Sequence, residues 1–224
     1  MRSDVFAMHR TLLILVLLTY SATIGIVRAQ SQSHIRDELY ERTVSIHPSL
    51  SKYTFRLCIN DSNVTGCDHA VSRIEVMRAR DKRILQTLGG FEMVLPFRPE
   101  MFKIVDLNFD GYQDIMLDYA QGSGGSSSHV WLCDPRTGMF RYNRDLSMMF
   151  TPYPDTTSKT LISEYWSGVG ESGYDEYCFK HGKLVLVSTM VKRYDEQIKL
   201  FIRTITEFNG KKVLRTVVDT LMNE

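Results

Sequence analysis

Short apolar runs broken by turn signals fill this chain from Lys52 onward and leave little room for helix. Tyr53–Leu57 and Ile74–Met77 alternate in polarity, and Arg80–Arg83 then turns the chain before Ile84-Leu85. Val130–Cys133 runs into Asp134-Pro135-Arg136-Thr137-Gly138 and emerges as Met139–Tyr142. Tyr177–Phe179 reaches Lys180-His181-Gly182-Lys183 and continues as Leu184–Val187, while Phe201–Phe208 meets Asn209-Gly210 before Lys211–Val218. Asn-Gly between β-rich runs signals a hairpin, because the turn residues must accept positive φ. Sustained 3.6-residue periodicity is missing. The pattern predicts an all-β fold, an irregular β-propeller-like array of antiparallel hairpins. One short helix is expected near the start, over His34–Arg42.

Residues 1–29 read as an export leader. Arg2, His9 and Arg10 form a basic start, Leu12–Leu18 an apolar run, and Val27-Arg28-Ala29 a cleavage site before Gln30. Residues 30–51 then form a lead-in, and 52–224 a single β domain. After Gln30 no stretch is apolar enough to cross a bilayer. The expected location is the periplasm or the exterior. Across the whole chain 27 Lys+Arg against 26 Asp+Glu leave +1, and losing Arg2, Arg10, Arg28 and Asp4 with the leader leaves 24 against 25, or −1. A nucleic-acid binder would carry a basic excess, so no nucleic-acid partner is expected.

Export makes the four cysteines informative, because an even number in an oxidising compartment points to disulfides. Cys58 and Cys67 flank a turn-rich octet, Ile59–Gly66, and closing that loop is the economical pairing. Cys133 with Cys178 follows by elimination. No Cys-x-x-Cys spacing or His–Cys pattern suggests zinc.

The one strong chemical motif is Asp106-Leu107-Asn108-Phe109-Asp110-Gly111-Tyr112-Gln113-Asp114. It matches the front of an EF-hand loop, in which oxygens at positions 1, 3, 5 and 9 and the carbonyl at 7 wrap a hard cation at about 2.3–2.6 Å. The glycine at position 6 permits the sharp turn. Asp106, Asn108, Asp110 and Asp114 are the expected side-chain ligands, and Tyr112 offers its carbonyl. Position 12 is Leu117, so the bidentate Glu of an EF-hand is missing. Phe102–Val105 and Ile115–Leu117 read as flanking strands rather than helices. The expectation is a structural calcium ion.

Other patterns carry less. Gly168-Val169-Gly170-Glu171-Ser172-Gly173 spells G-x-G-x-x-G, but a strand-like run follows where a dinucleotide site needs a helix N-terminus. Gln121–Ser128 reads as a flexible Gly-Ser loop. His47, His69, His129 and His181 are scattered singly. No nucleophile or acid–base pair has a motif, so the chain is not expected to be an enzyme.

The Asp106–Asp114 loop, the Gly-Ser segment 122–128, Trp131-Leu132-Cys133-Asp134-Pro135 with Thr137-Gly138 and Phe140, the stretch from Asp155 to Leu161, and His181–Val187 follow one another in a suggestive order. In that order they resemble bacterial periplasmic calcium-loop proteins of the FG-GAP/VCBS-like, propeller-like kind. That kind includes immunity proteins inhibiting lysozyme-like effectors of type IV secretion systems. The resemblance covers residues 100–190. It implies a non-enzymatic inhibitor whose protein partner is a lysozyme-like peptidoglycan hydrolase. Glu171–Tyr177 is similar in content to the Ser-Gly…Tyr loops that such inhibitors insert into the enzyme cleft. Ser172, Gly173, Tyr174 and Tyr177 are the residues this implies. A calcium-stabilised envelope module binding another protein or a glycan is the alternative.

Overall fold

The computed structural model describes residues 38–60, 67–168 and 170–221. The expected leader, residues 34–37 of the expected helix, and most of the octet between Cys58 and Cys67 lie outside them. Among the described residues the fold is all-β, with three antiparallel sheets and almost no helix.

The first sheet is β1 (Glu38–Val44), β2 (Tyr53–Asn60), β3 (Ala70–Arg78) and β4 (Ile84–Leu88). A 3₁₀ turn at Pro99–Met101 leads into the second, β5 (Phe102–Val105), β6 (Asp114–Gly122), β7 (Gly125–Cys133) and β8 (Phe140–Tyr142). A one-turn helix, α1 (Arg144–Ser147), opens the third part, its Asn143 side chain accepting from Leu146 N. There follow β9 (Pro152–Asp155), β10 (Thr160–Trp166), β11 (Glu171–Lys180), β12 (Lys183–Asp195), β13 (Leu200–Asn209) and β14 (Lys212–Leu221), all in one six-stranded sheet. Each strand pairs with its neighbour in sequence, so every sheet is a simple meander. The expected turns at Arg80–Arg83, Asp134–Gly138, Lys180–Lys183 and Asn209-Gly210 close four of the hairpins. His181 and Gly182 take the left-handed φ values (53° and 72°) that such a tight turn demands.

Two expectations of local structure are corrected. Residues 38–42 are strand, not helix, because β1 finds the open edge of β2. Across that pair Glu41 meets Arg56 at 2.7 Å and Thr43 meets Thr54 at 2.8 Å, while Tyr40 and Val44 pack on the core. The Gly-Ser segment is likewise no free loop. Gly122 and Gly125 face each other across the β6–β7 turn, Ser126 N donates to Thr151 Oγ1 (3.0 Å), and the buried Ser128 hydroxyl donates to Asp118 (2.6 Å).

Packing follows from the two-residue period of a strand. Ile115 and Leu117 on β6, with Trp131 and Cys133 on β7, join Phe55, Leu57, Ile74 and Val76 of the first sheet in one core. The intervening Met116, Val130 and Leu132 turn the other way, toward Leu161, Tyr177, Phe179 and Leu184 of the third sheet. The centre of the middle sheet, β6 and β7, is therefore buried on both faces. No closed barrel or ring of blades forms among the described residues, so the propeller-like expectation reduces to stacked antiparallel meanders. No residue of β12, β13 or β14 is fully buried. Nor is any helix there long and apolar enough to cross a membrane.

Candidate functional site

The acidic loop joins β5 to β6. Phe109 and Gly111 take positive φ (61° and 89°), which curls the backbone so that its N–H groups point inward. Gly111 N donates to Asp106 Oδ2 (2.9 Å), Asp110 N to Asn108 Oδ1 (3.2 Å) and Tyr112 N to Asp110 Oδ1 (2.8 Å). Asn108 Nδ2 also donates to Asp110 Oδ2 (3.0 Å). The other oxygen of Asp106, Oδ1, is buried and has no hydrogen-bond partner. A desolvated carboxylate oxygen without a donor is costly, and a hard cation would relieve it. Asp106, Asn108, Asp110 and the Tyr112 carbonyl thus fit the oxygen set expected from the sequence. The loop is held from outside by His47, whose ring stacks on Tyr112 at 4.2 Å, and by Gln113 N donating to Ile46 O (3.0 Å). Among the described residues no three His, Cys, Asp or Glu side chains gather into a metal-holding group.

Asp114, the expected fifth ligand, has a different position. It is fully buried at the start of β6, accepting from Leu107 N through Oδ2 (2.9 Å) and from Cys133 N through Oδ1 (2.8 Å). It ties the loop to the end of β7. Burial pushes its carboxyl up to about 7, and Asp110 and Asp106 add repulsion against the pull of the two backbone donors.

The residues implied for an inhibitory loop are not on a loop. Ser172, Gly173, Tyr174 and Tyr177 lie within β11, paired to β10 on one side and β12 on the other. The chain turns before β11 begins, since Ser167 N already donates to Glu171 O (2.9 Å). Gly173 is required by packing. A Cβ there would collide with Met190 O and the Tyr165 hydroxyl, the latter at 2.6 Å. Gly173→Ala is expected to destabilise the fold by about 1–3 kcal/mol, read from urea unfolding. An unchanged midpoint would show that the Tyr165 ring and the β12 backbone at Met190 both give way.

Tyr177 does reach a groove of about 400 Å³, lined by Asp145, Met148, Phe150, Tyr165 and Asp175 among others. Its hydroxyl donates to Asp175 Oδ2 (3.3 Å). Burial pushes the Tyr177 hydroxyl up to about 12, with the Asp175 charge adding to the rise, and burial also raises Asp175. On the rim Met148 is 71% and Phe150 49% exposed. Sequence reasoning passed over these rim residues, although the Met148-Met149-Phe150 run directly before a Thr-Pro pair was a visible signal.

The expected Cys133–Cys178 bridge is corrected: both are free thiols. Cys133 belongs to the core shared with the first sheet, whereas Cys178 sits on β11 between Tyr177 and Phe179, which face the middle sheet. Alternation turns Cys178 away, so the middle sheet stands between the two sulfurs. Burial, then the Asp114 charge, pushes the Cys133 thiol up to about 12. Cys58 is buried on β2, and Cys67 stands at the far end of the undescribed segment 61–66.

No protein-family model and no curated protein matches the chain. Among solved structures it is similar in fold to one described as "Structure of a Xanthomonas Type IV Secretion System related protein". The TM-score is 0.51 at 13% sequence identity, covering 83% of this chain and 100% of that one. The likeness is one of fold.

Proposed function

We propose that this chain is an exported, non-enzymatic, immunity-type protein that acts in the periplasm or outside the cell and blocks a lysozyme-like peptidoglycan hydrolase. The observation that carries the reading is the fold likeness to a secretion-related protein over the whole of that protein's chain. The order of sequence segments from the acidic loop to His181–Val187 supports it independently. In this reading calcium is held by Asp106, Asn108, Asp110 and the Tyr112 carbonyl. When bound, the ion supplies positive charge to the desolvated Asp106 oxygen and stiffens the β5–β6 connection. A Cys58–Cys67 bridge closes the loop those residues flank.

Inhibition is by occlusion. A glycosidase cleft holds one protonated and one ionised carboxyl, and a surface that covers them excludes the sugar chain. The contact surface is the Tyr177 groove, with Met148 and Phe150 as exposed apolar side chains able to enter a concave partner. The test is a turbidity assay of cell-wall lysis by a panel of lysozyme-like enzymes, including any encoded beside this gene. The purified chain should suppress lysis by a cognate enzyme, and Met148→Ala with Phe150→Ala should weaken suppression at least about tenfold. Lysis proceeding unchanged across the panel, or peptidoglycan cleavage by the chain itself, rejects the reading.

A further inference from the structure

A sheet edge exposes unpaired backbone groups, and stable proteins blunt it with short strands, prolines or cover. Most free edges here obey that rule. β8 has three residues, β5 four and β4 five, and β9 carries Pro152 and Pro154 within its four residues. Two do not, the seven-residue β1 and the ten-residue β14, and β14 is the longer. It runs for ten residues without proline or glycine, its one β-bulge falls at Leu214 and leaves Arg215–Leu221 in regular register, and no strand pairs with its outer side among the described residues. Val213, Leu214 and Val218 on it are 52–63% exposed.

We propose that two copies of this chain associate through β14, pairing antiparallel about a two-fold axis at Val217 and joining their six-stranded sheets into one. The inference does not depend on the hydrolase reading. Symmetry limits the registers. An antiparallel pair has its two-fold axis normal to the sheet, and residues directly opposite each other share a face. One residue must therefore lie opposite its own copy, since a one-residue slip would set one face against the other. With Arg215 or Asp219 on the axis, like charges would meet. With Thr216 or Val218 on the axis, each charge would meet an uncharged residue. With Val217 on the axis, Arg215 of each copy stands opposite Asp219 of the other, and Thr216 opposite Val218.

The neighbouring strands extend this complementarity. Asp219 is already paired with Arg203 on β13, Nε to Oδ1 at 3.0 Å, and Arg215 lies in register with Glu207. Across the proposed seam the order becomes Arg203, Asp219, then the second copy's Arg215 and Glu207, so the sign of charge alternates. The row through the axis is apolar apart from one hydroxyl. Tyr174, Met190, Ile205 and Val217 are cross-strand partners and would meet the same row of the second copy. A hydrophobic row flanked by matched charges makes an isologous interface.

The experiment is sedimentation and native mass spectrometry of the purified chain and four variants, two charge reversals and two cysteine substitutions. The wild type should be a dimer. Arg215→Asp and Asp219→Arg each create two like-charge contacts at the seam and should raise the dimer dissociation constant at least about a hundredfold. Mixed in equal amounts, the two variants should form a heterodimer, because every contact is then again of opposite sign. Val217→Cys should form a disulfide-linked dimer under mild oxidation, and Thr216→Cys should not. Asp219→Arg also breaks the Arg203 pair and could unfold. Circular dichroism checks this, and Val217→Cys tests the register without touching a charge. A monomeric wild type with no Val217→Cys crosslink overturns the proposal. So does a dimer that Arg215→Asp leaves intact, or an edge filled by a different protein while the chain itself stays monomeric.

Discussion

Replacing Asp114 with Ala is expected to lower the free energy of unfolding by about 3–5 kcal/mol at neutral pH. The carboxylate is fully buried and accepts from two backbone donors, Leu107 N and Cys133 N. Truncation strands both donors away from water, and each orphaned buried group costs about 1–3 kcal/mol. Leu107 belongs to the core between the middle and third sheets and Cys133 to the other core, so the loss is felt on both faces of the middle sheet. Asp106→Ala should behave differently. Its Oδ1 has no partner to strand, so the metal-free protein should lose little beyond the Gly111 contact. What it should lose is the rise in melting temperature on adding calcium. Urea titrations with calcium and with chelator check both substitutions. A mild Asp114→Ala, or an Asp106→Ala that still responds to calcium, would reverse the roles assigned to them.

Phe55→Ala is expected to cost about 3–5 kcal/mol, the usual range for emptying a fully packed aromatic site. Phe55 is fully buried on β2, with Phe102 and Phe140 each 5.6 Å away across the gap between the first and middle sheets. It is therefore a direct contact between two layers that share no backbone hydrogen-bond ladder. At about 2–4 °C per kcal/mol for a chain of this size, the melting temperature should fall by roughly 10 °C. Ile84→Ala on the half-exposed β4 should change stability by only about 0.5 kcal/mol. Equal effects at the two positions would argue against a continuous core between these sheets.

The strands were legible because turn residues punctuate this chain so regularly. Four hairpins closed where Asp81, Asp134, His181 and Asn209 predicted them. The hairpin at Gly122–Gly125 was missed because serine-rich strands lack the apolar alternation that marks a half-buried one. Residues 38–42 were misread for a related reason. A short amphipathic run follows whatever edge it meets, and β2 lies far enough along the chain for local pattern to be silent about it. The acidic loop was readable since its spacing is dictated by an ion's coordination. That Asp114 would turn inward toward Cys133 N depends on a strand nineteen residues away. Layering was the other hidden variable. Nothing local tells that the middle sheet would separate Cys133 from Cys178, or bring Tyr177 under Met148 and Phe150.

A sheet covered on both sides at its centre imposes an order on folding. The strands of residues 38–88 can complete their backbone ladders as soon as they emerge into the compartment where the chain folds, yet their greasy side has nothing to rest on until residues 102–142 have followed. Those in turn stay half bare until residues 160–184 arrive. Between these arrivals the emerging chain is well hydrogen-bonded and poorly packed, the condition in which a chaperone or a neighbouring copy competes best for it.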